Sequence, residues 1–294
     1  LCRANLDSLS LAEQDFRKAL RFNPQNSEVW QNLGAVAMQQ DDWGKAAEVL
    51  DSLLLFSPRN SHAYLMRTQV ALNANDTVTA QRMVELAVQN DRYSSSVYDA
   101  RAVVYSVTGD YDAAEKDLDR AIDLMPNNAG SYVNRALVRY HKNDFRGAMK
   151  DYDMALYVEP ASFVAHYNRG ILRMEVGDDN RAIEDFDWVL NVDPDNTLAR
   201  FNRALLRDKV GDSKGAVNDL TVVLESYPNF EYAYQCRAAA RRRCGDIRGA
   251  NADEEWLRKR QYDIYFNGSQ AVADEYAPDE DKTRKRSDNN VRNY

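Results

Sequence analysis

The chain has 294 residues, of which 44% are hydrophobic and 29% are charged, and this composition excludes a wholly disordered protein. Its 38 Lys and Arg residues are outnumbered by 46 Asp and Glu residues, and the net charge of −8 disfavours nucleic-acid binding, since phosphate contacts need an excess of cations. Three cysteines are too few for a disulfide framework, and no apolar run approaches the ~20 residues of a membrane span.

Prolines recur along the chain at a fixed spacing. Six of the seven prolines fall on a 34-residue period, and Arg92 occupies the one vacant position. Alanines follow the same period without a break, and so do a small-residue series beginning at Gly34 and an aromatic or bulky series beginning at Trp30. A period of this length is the sequence signature of stacked repeats. The periodic prolines are Pro24, Pro58, Pro126, Pro160, Pro194 and Pro228, and the alanines are Ala12, Ala46, Ala80, Ala114, Ala148, Ala182, Ala216 and Ala250.

Each 34-residue unit predicts two helices. In the unit 129–162, apolar residues at helical spacing continue to a break at Asn143, and a second helical segment ends before Pro160, where no helix can continue. A single hairpin cannot bury its apolar face alone, so the units are expected to stack. We therefore predict an all-α fold. Its parts are a partial repeat at 1–26, seven full repeats at 27–264 and a charged tail or linker at 265–294.

The order of aromatic residue, small residue four positions later, alanine and proline resembles the tetratricopeptide repeat (TPR). The resemblance covers 27–264 and implies a right-handed superhelical solenoid of antiparallel helix hairpins. The pattern departs from the family at Arg200, which replaces the aromatic residue, and at Tyr262, which replaces the proline. Glu254 stands where the second helix is usually apolar, and a polar outer face favours a terminal cap.

Residues that could carry catalysis or bind a metal do not form motifs. His62, His141 and His166 are isolated, and no HExxH, CxxC or phosphate-binding glycine loop occurs. His166 occupies the aromatic position of its repeat, which favours packing over metal binding. The sequence therefore predicts a non-catalytic protein without a cofactor. The alternative is a recognition or regulatory domain of a longer enzyme whose catalytic part lies outside this chain.

Arginine recurs at one position of the first helix, and aspartate recurs at one position of the second. The first full repeat lacks both and has Leu33 and Val49 instead, whereas the second repeat has Arg67 and Met83. This covariation predicts structural ion pairs between the helices of a hairpin, which the planar guanidinium favours. The alternative is an arginine ladder that binds an anionic ligand. The predicted pairs include Arg135 with Asp151, Arg169 with Asp185 and Arg203 with Asp219.

Asparagine recurs with the same period at Asn134, Asn168 and Asn202, although Asn is a mediocre helix former. The resemblance implies that this position faces the concave groove of the solenoid, where a ladder of amides holds the backbone of an extended peptide. One amide offers a donor and an acceptor, which matches a peptide unit whatever its sequence. The alternative is that each Asn caps a helix or forms a hydrogen bond within its own repeat.

The resemblance also places apolar residues beside these asparagines. An exposed apolar strip of this extent is typical of partner sites. The alternatives are that solenoid curvature buries the strip or that the tail covers it. Val133 and Leu137 stand where a carboxylate clamp for chaperone C-termini would need Lys and Asn, which disfavours that mode of binding. The predicted peptide-binding groove comprises Asn134, Asn168, Asn202, Val133, Leu137, Tyr140, Tyr167, Ile171, Phe201 and Leu205.

These features predict a protein–protein interaction scaffold whose partner is an extended peptide segment or a helix. The segments NRGILRMEVGDDNRAIEDFD and DKTRKRSDNNVRNY are similar to TPR proteins of the Bacteroidetes cell envelope, which are exported. This similarity implies a periplasmic or outer-membrane-associated protein that helps to assemble envelope complexes; the alternative is a cytoplasmic protein. Because the chain begins with Leu1 rather than Met, and residues 1–9 match only the end of a first helix, we expect the native protein to continue upstream.

Overall fold

The computed structural model describes the backbone of residues 9–267 and the side chains of residues 9–261. Over this range the chain forms fifteen α-helices and no β-strand. The all-α repeat solenoid predicted from the 34-residue period is thereby confirmed. Residues 1–8, and the predicted tail from residue 268 onward, lie outside the described residues.

The helices alternate between two series, and successive members of each series begin one repeat period apart. The first helices of the seven repeats are α2 (Ser27–Gln39), α4 (Ser61–Asn73), α6 (Ser95–Thr108), α8 (Ala129–His141), α10 (Phe163–Val176), α12 (Thr197–Lys209) and α14 (Glu231–Arg243). The second helices, with that of the partial repeat first, are α1 (Leu9–Phe22), α3 (Trp43–Phe56), α5 (Thr77–Asn90), α7 (Tyr111–Leu124), α9 (Phe145–Val158), α11 (Asp179–Val192), α13 (Ser213–Ser226) and α15 (Ile247–Asn267).

Capping side chains set where the helices begin. Asn60 and Asn196 precede first helices, and the side-chain oxygen of each accepts a hydrogen bond from the backbone N–H three residues later, at 3.0 and 2.9 Å. Asp42 does the same before a second helix, at 3.1 Å. These bonds satisfy N–H groups that have no partner inside the helix. At the other end of α10, Gly177 has a φ of +82°, a left-handed conformation that costs glycine nothing.

The last helix is the longest of the helices that the structure describes. It extends over five to six turns and continues through Asn267, whereas the others end after about four turns. Tyr262 stands where a proline ends the equivalent helix in most repeats. Because tyrosine has the backbone N–H that proline lacks, the helix can continue past this position.

The helices form two compact units, α1–α8 and α9–α15, which divide between Asp144 and Phe145. The repeat 129–162 therefore contributes its first helix to the first unit and its second helix to the second unit. Within each unit every helix packs against the helices that precede and follow it in the chain.

Small residues allow the helices of each unit to approach closely. All eight alanines of the periodic series are buried. A Cβ added at Gly34 would lie 3.1 Å from Leu50, and one added at Gly170 would lie 3.2 Å from the ring of Phe186. At these distances the neighbouring side chain would have to move by a few tenths of an ångström to admit a larger residue. The small-residue series therefore reflects close contact between the two helices of a hairpin.

Candidate functional site

Arg169 on α10 connects three helices of the second unit. Its Nε donates to Oδ2 of Asp185 at 3.1 Å, and its Nη2 donates to Oδ1 of the same carboxylate at 2.7 Å. Its Nη1 donates to Oδ1 of Asp153 on α9, in the preceding hairpin, at 2.8 Å. The planar guanidinium fork makes this two-bond contact directional. Arg169 thus fixes its own hairpin and links that hairpin to the one before it.

Three further arginines make the same two kinds of contact. Each forms two hydrogen bonds with the aspartate on the second helix of its own repeat and reaches a side chain on the second helix of the preceding repeat. They are Arg101 (Asp117 and Glu85), Arg203 (Asp219 and Asp187) and Arg237 (Asp253 and Thr221). The arrangement is therefore shared by both units.

A second acidic series, absent from the predictions above, supplies the contacts between hairpins. Arg67 donates to one of its members, Asp51, at 2.9 Å. Arg67 therefore has a carboxylate partner even though Met83 stands where the aspartate of its own repeat would be. The periodic spacing of these acidic residues was a sufficient signal to find them in the sequence. They are Asp51, Glu85, Asp119, Asp153 and Asp187.

Arg135 and Asp151 belong to different units. In the first unit, Nη1 of Arg135 donates to Asp119 at 2.7 Å. In the second unit, Asp151 is buried. The pairing of Arg135 with Asp151 stays a prediction.

Three aspartates of the second unit receive a further cation from the next turn of the first helix. Nη1 of Arg173 donates to Asp185 at 2.7 Å, and the equivalent arginines reach Asp219 and Asp253 at 2.9 and 2.8 Å. Burial pushes the pKa of Asp185 upward, but the hydrogen bonds from His166 and Arg169 outweigh it, so the pKa of this carboxyl is lowered. The guanidinium groups of the series bind carboxylates within the described residues, which favours a structural role over an open ladder for an anionic ligand.

In five of the seven repeats the residue at the aromatic position also forms a polar contact. Nε1 of Trp30 donates to the carbonyl of Pro24 at 2.8 Å, and the hydroxyl of Tyr64 donates to the carbonyl of Pro58 at 3.2 Å. Arg200, which replaces the aromatic residue, donates to the carbonyl of the equivalent proline, Pro194, in the same way. The departure at Arg200 therefore preserves the hydrogen bond.

His166 fills the same position and packs as an aromatic residue. Its ring stacks on Trp188, with centroids 4.0 Å apart, and Nε2 lies 3.1 Å from the carbonyl of Pro160. Its Nδ1 lies 3.1 Å from Asp185. The described side chains contain no group of three or more His, Cys, Asp or Glu residues placed to hold a metal ion.

Asn168 on α10 and Asn202 on α12 are half-buried in the second unit. Neither side-chain amide forms a hydrogen bond with any residue that the structure describes. The same holds for Asn134, which lies on α8 in the first unit. The alternative that these side chains serve as caps or as bonds within their own repeats finds no such contact in residues 9–261.

Two of the ten predicted groove residues are buried, and their assignment to an exposed strip was wrong. Val133 is 4% exposed and Phe201 is 9% exposed. The ring of Phe201 lies 5.0 Å from that of Phe230 and 5.8 Å from that of Tyr232, so the start of the next repeat covers it. Val133 lies on α8 of the first unit, and burial of its apolar side chain is favourable.

The other predicted apolar groove residues are half-buried. In the second unit, Tyr167 packs edge-on against Phe186 with centroids 6.0 Å apart, and burial raises the pKa of its hydroxyl. Ile171 packs against the same core, and Leu205 packs against the core around Phe201. Each keeps part of its surface accessible. Leu137 and Tyr140 are half-buried in the first unit.

Two family models with the description tetratricopeptide repeat match the chain, at residues 8–70 and 100–163. No curated protein sequence matches it. None of the helices within residues 9–267 combines the length and the apolar character that crossing a bilayer requires.

Solved structures of low sequence identity share the fold. A chain of the APC/C hetero-tetramer Cut9–Hcn1 matches with a TM-score of 0.68 and 15% identity, over 80% of this chain and 46% of its own length. A tetratricopeptide repeat protein from Parabacteroides merdae matches with a TM-score of 0.59 and 17% identity, over 80% of this chain and 93% of its own length. Yeast Tom70 matches with a TM-score of 0.58 and 20% identity, over 85% and 55%. This chain therefore spans less than half of the first of these proteins.

Proposed function

We propose that the chain, which belongs to the tetratricopeptide-repeat family, is a non-catalytic interaction scaffold whose second unit binds an extended peptide through Asn168 and Asn202. Proteins of this family typically act as scaffolds without catalytic activity. The observation that carries the proposal is that both amides lie at the same position of successive first helices, half-accessible and without a hydrogen-bond partner among the described residues.

The chemistry of the two amides suits a peptide backbone. Each amide can donate to a carbonyl and accept from an N–H, and these groups occur in every peptide unit. Packed helices lie roughly 8–10 Å apart, and an extended chain advances about 3.3 Å per residue. The two amides would therefore contact peptide units about three residues apart, which is compatible with one extended segment.

The side chains beside the amides indicate what else the partner carries. Ile171 and Leu205 are apolar and half-accessible, and Tyr167 adds the edge of an aromatic ring. Covering an uncharged surface of this kind with apolar side chains lowers the free energy, because apolar surface is removed from water. We therefore infer a partner segment that presents apolar residues towards the second unit.

The proposed cellular setting is the periplasm or the outer membrane, in the assembly of an envelope complex. It rests on the resemblance of two segments of the sequence to envelope proteins. Fractionation of the native cell, followed by detection of the chain with a specific antibody, tests this setting. Recovery with cytoplasmic markers would contradict it.

The peptide site is tested with peptides selected from a random library on the wild-type chain. Each amide contact is expected to contribute about 1 kcal/mol, so the variant Asn168→Ala with Asn202→Ala should bind about 30-fold more weakly. Folding should be unchanged, because Ala is the better helix former. The matched control is Asn32→Ala, at the same repeat position in the first unit, which should bind as the wild type does. Unchanged affinity of the double variant, or its unfolding, would place the asparagines in the scaffold.

A further inference from the structure

One junction of the first unit combines a carboxyl with a serine hydroxyl, a combination that the equivalent positions of the other repeats do not have. Asp99 on α6 is the only ionisable carboxyl in its repeat series, and Ser131 on α8 is the only hydroxyl in its own. Both departures occur at the same junction between successive first helices. The equivalents of Asp99 are Gln31, Leu65, Val133, Tyr167, Phe201 and Gln235, and those of Ser131 are Val29, Ala63, Val97, Ala165, Ala199 and Ala233.

Asp99 holds the capping residue of the next first helix. Nδ2 of Asn128 donates to Oδ2 of Asp99 at 3.2 Å, while Oδ1 of Asn128 accepts from the N–H of Gly130 at 3.1 Å. In the first repeat, Nε2 of Gln31 donates to the capping residue Asn60 at 3.1 Å. The hydrogen bond to the capping residue of the next first helix is therefore made by a neutral amide at Gln31 and by a titratable carboxyl at Asp99.

Two buried atoms at this junction have no hydrogen-bond partner among the residues that the structure describes. Oδ1 of Asp99 and Oγ of Ser131 are buried, and neither forms a hydrogen bond with a residue that the structure describes. A buried polar atom without a partner is costly, and a buried charge costs more. A proton on Asp99 removes the charge and creates an O–H that can donate to Ser131, while the other oxygen continues to accept from Asn128.

We propose that Asp99, Asn128 and Ser131 form a proton-dependent joint between α6 and α8, which is tight when Asp99 is protonated and loosens when Asp99 ionises. Burial raises the pKa of Asp99 to about 6, and the proximity of Ser131 lowers it by a smaller amount. Because this pKa lies above the ordinary value of 3.8, the stabilisation is present at low pH and is lost as the pH rises towards and beyond 6. The joint lies in the first unit and is separate from the proposed peptide site.

The ion pairs that the described residues form around α6 do not involve Asp99. Helices α4, α5, α7 and α8 pack against α6, and the causes of the shift at Asp99 include no charged group of the described residues. Arg101, on α6 itself, binds carboxylates of α5 and α7. The charged side chains of the four helices, with their partners, include Arg67 (Asp51), Glu85 and Asp117 (Arg101), Glu115 (Arg139 and Lys142) and Asp119 (Arg135), and His62 is exposed.

The first test is a carbon-13 NMR titration of the aspartate carboxyls in the full chain, with Asp99→Asn used to assign the signal of Asp99. The signal is expected to titrate with a midpoint about two pH units above the ordinary range of aspartate. The titration is recorded on the wild-type chain, and the variant serves only to identify the signal of Asp99. A midpoint near 3.8, the ordinary value, would overturn the proposal.

The second test is hydrogen exchange of the amides at the start of α8, corrected for the intrinsic effect of pH. From the pKa values above, the opening constant of the joint should rise about tenfold between pH 5 and pH 7.5. Asp99→Asn keeps the shape and the acceptor but cannot ionise, so this rise should disappear. Asp123→Asn is the matched control, since Asp123 is exposed at the end of α7, and it should retain the rise. Persistence of the rise in Asp99→Asn would also overturn the proposal.

Discussion

The first full repeat and the repeats of the second unit differ in the contact that holds their two helices together. The contact is apolar in the first full repeat and is an ion pair in the second unit. In the first repeat, Leu33 and Val49 are 3% and 7% exposed. At the same repeat positions in the second unit, Arg169 and Asp185 form a two-bond ion pair. Both hairpins have closely similar helix lengths and the same spacing. The hairpin therefore does not need the ion pair in order to form, and the pair adds directionality that an apolar contact lacks.

The contrast extends to the number of donors around each aspartate. Asp117, in the first unit, is bound by Arg101 through two hydrogen bonds. Asp185, in the second unit, is bound by Arg169, by Arg173 and by His166. A carboxylate that is 2% exposed depends on these donors to remain ionised. The buried carboxylate of the second unit is therefore bound from successive turns of the first helix, whereas Asp117 is bound through one arginine.

The largest effect is expected for Arg169→Leu. The substitution leaves Asp185 buried without its two-bond partner, and breaking a buried pair in this way costs about 3 kcal/mol. Urea unfolding of the full chain, followed separately through fluorescence and circular dichroism, measures the loss. Two probes are needed because repeats contact only their neighbours and need not unfold in one step.

The apolar repeat supplies the control for this experiment. Arg169→Leu combined with Asp185→Val reproduces the residues found at positions 33 and 49, so it should recover much of the lost stability. Recovery should be incomplete, because Arg173 and His166 also lose their partner. A double variant that loses the sum of the two single effects would show that Arg169 and Asp185 do not act as a pair.

A smaller effect is expected from acid, with opposite signs in the two units. The lowered pKa of Asp185 means that its contribution is present above the ordinary value of 3.8 and is lost as the pH falls through the folded value. The raised pKa of Asp99 makes the α6–α8 joint tighter over the same range. When hydrogen exchange is measured at pH 5 and at pH 3, the amides of α10 and α11 should therefore lose more protection at the lower pH than the amides of α6 and α8. A larger loss of protection in α6 and α8 than in α10 and α11 would contradict this prediction.

The sequence was sufficient to predict the helices because each repeat period contains its own boundaries. Proline ends one helix, and the small residues at Gly34 and Gly170 occupy positions where a Cβ would meet its neighbour at 3.1 and 3.2 Å. The Arg169–Asp185 pair was predictable too, since its two members vary together between repeats. Because these features lie within one hairpin, they recur with the 34-residue period and can be recognised in the sequence.

What the sequence did not reveal depends on contacts between successive repeats. Phe201 was expected to be exposed but is covered by Phe230 and Tyr232 of the next repeat, and no pattern within one repeat records such cover. The junction of Asp99 with Ser131 was missed for the same reason, because the two residues lie in different repeats and the periodic pattern does not show that they meet. The side chains of the following repeat therefore decide whether an apolar side chain of the first helix stays accessible.

The smallest effect is expected for Asp153→Asn, which weakens the contact between hairpins and leaves the contact within the hairpin intact. The carboxylate of Asp153 is 55% exposed and receives one bond from Arg169. An exposed pair of this kind contributes less than about 1 kcal/mol and less still at high salt. Arg237 already donates to a neutral acceptor at the equivalent position, Thr221, at 3.3 Å, so an amide oxygen should suffice. Urea unfolding at low and high salt, with Asp185→Asn beside it, measures the difference between the two contacts. Equal losses in the two variants would mean that the exposed acidic series holds the second unit together as firmly as the buried one.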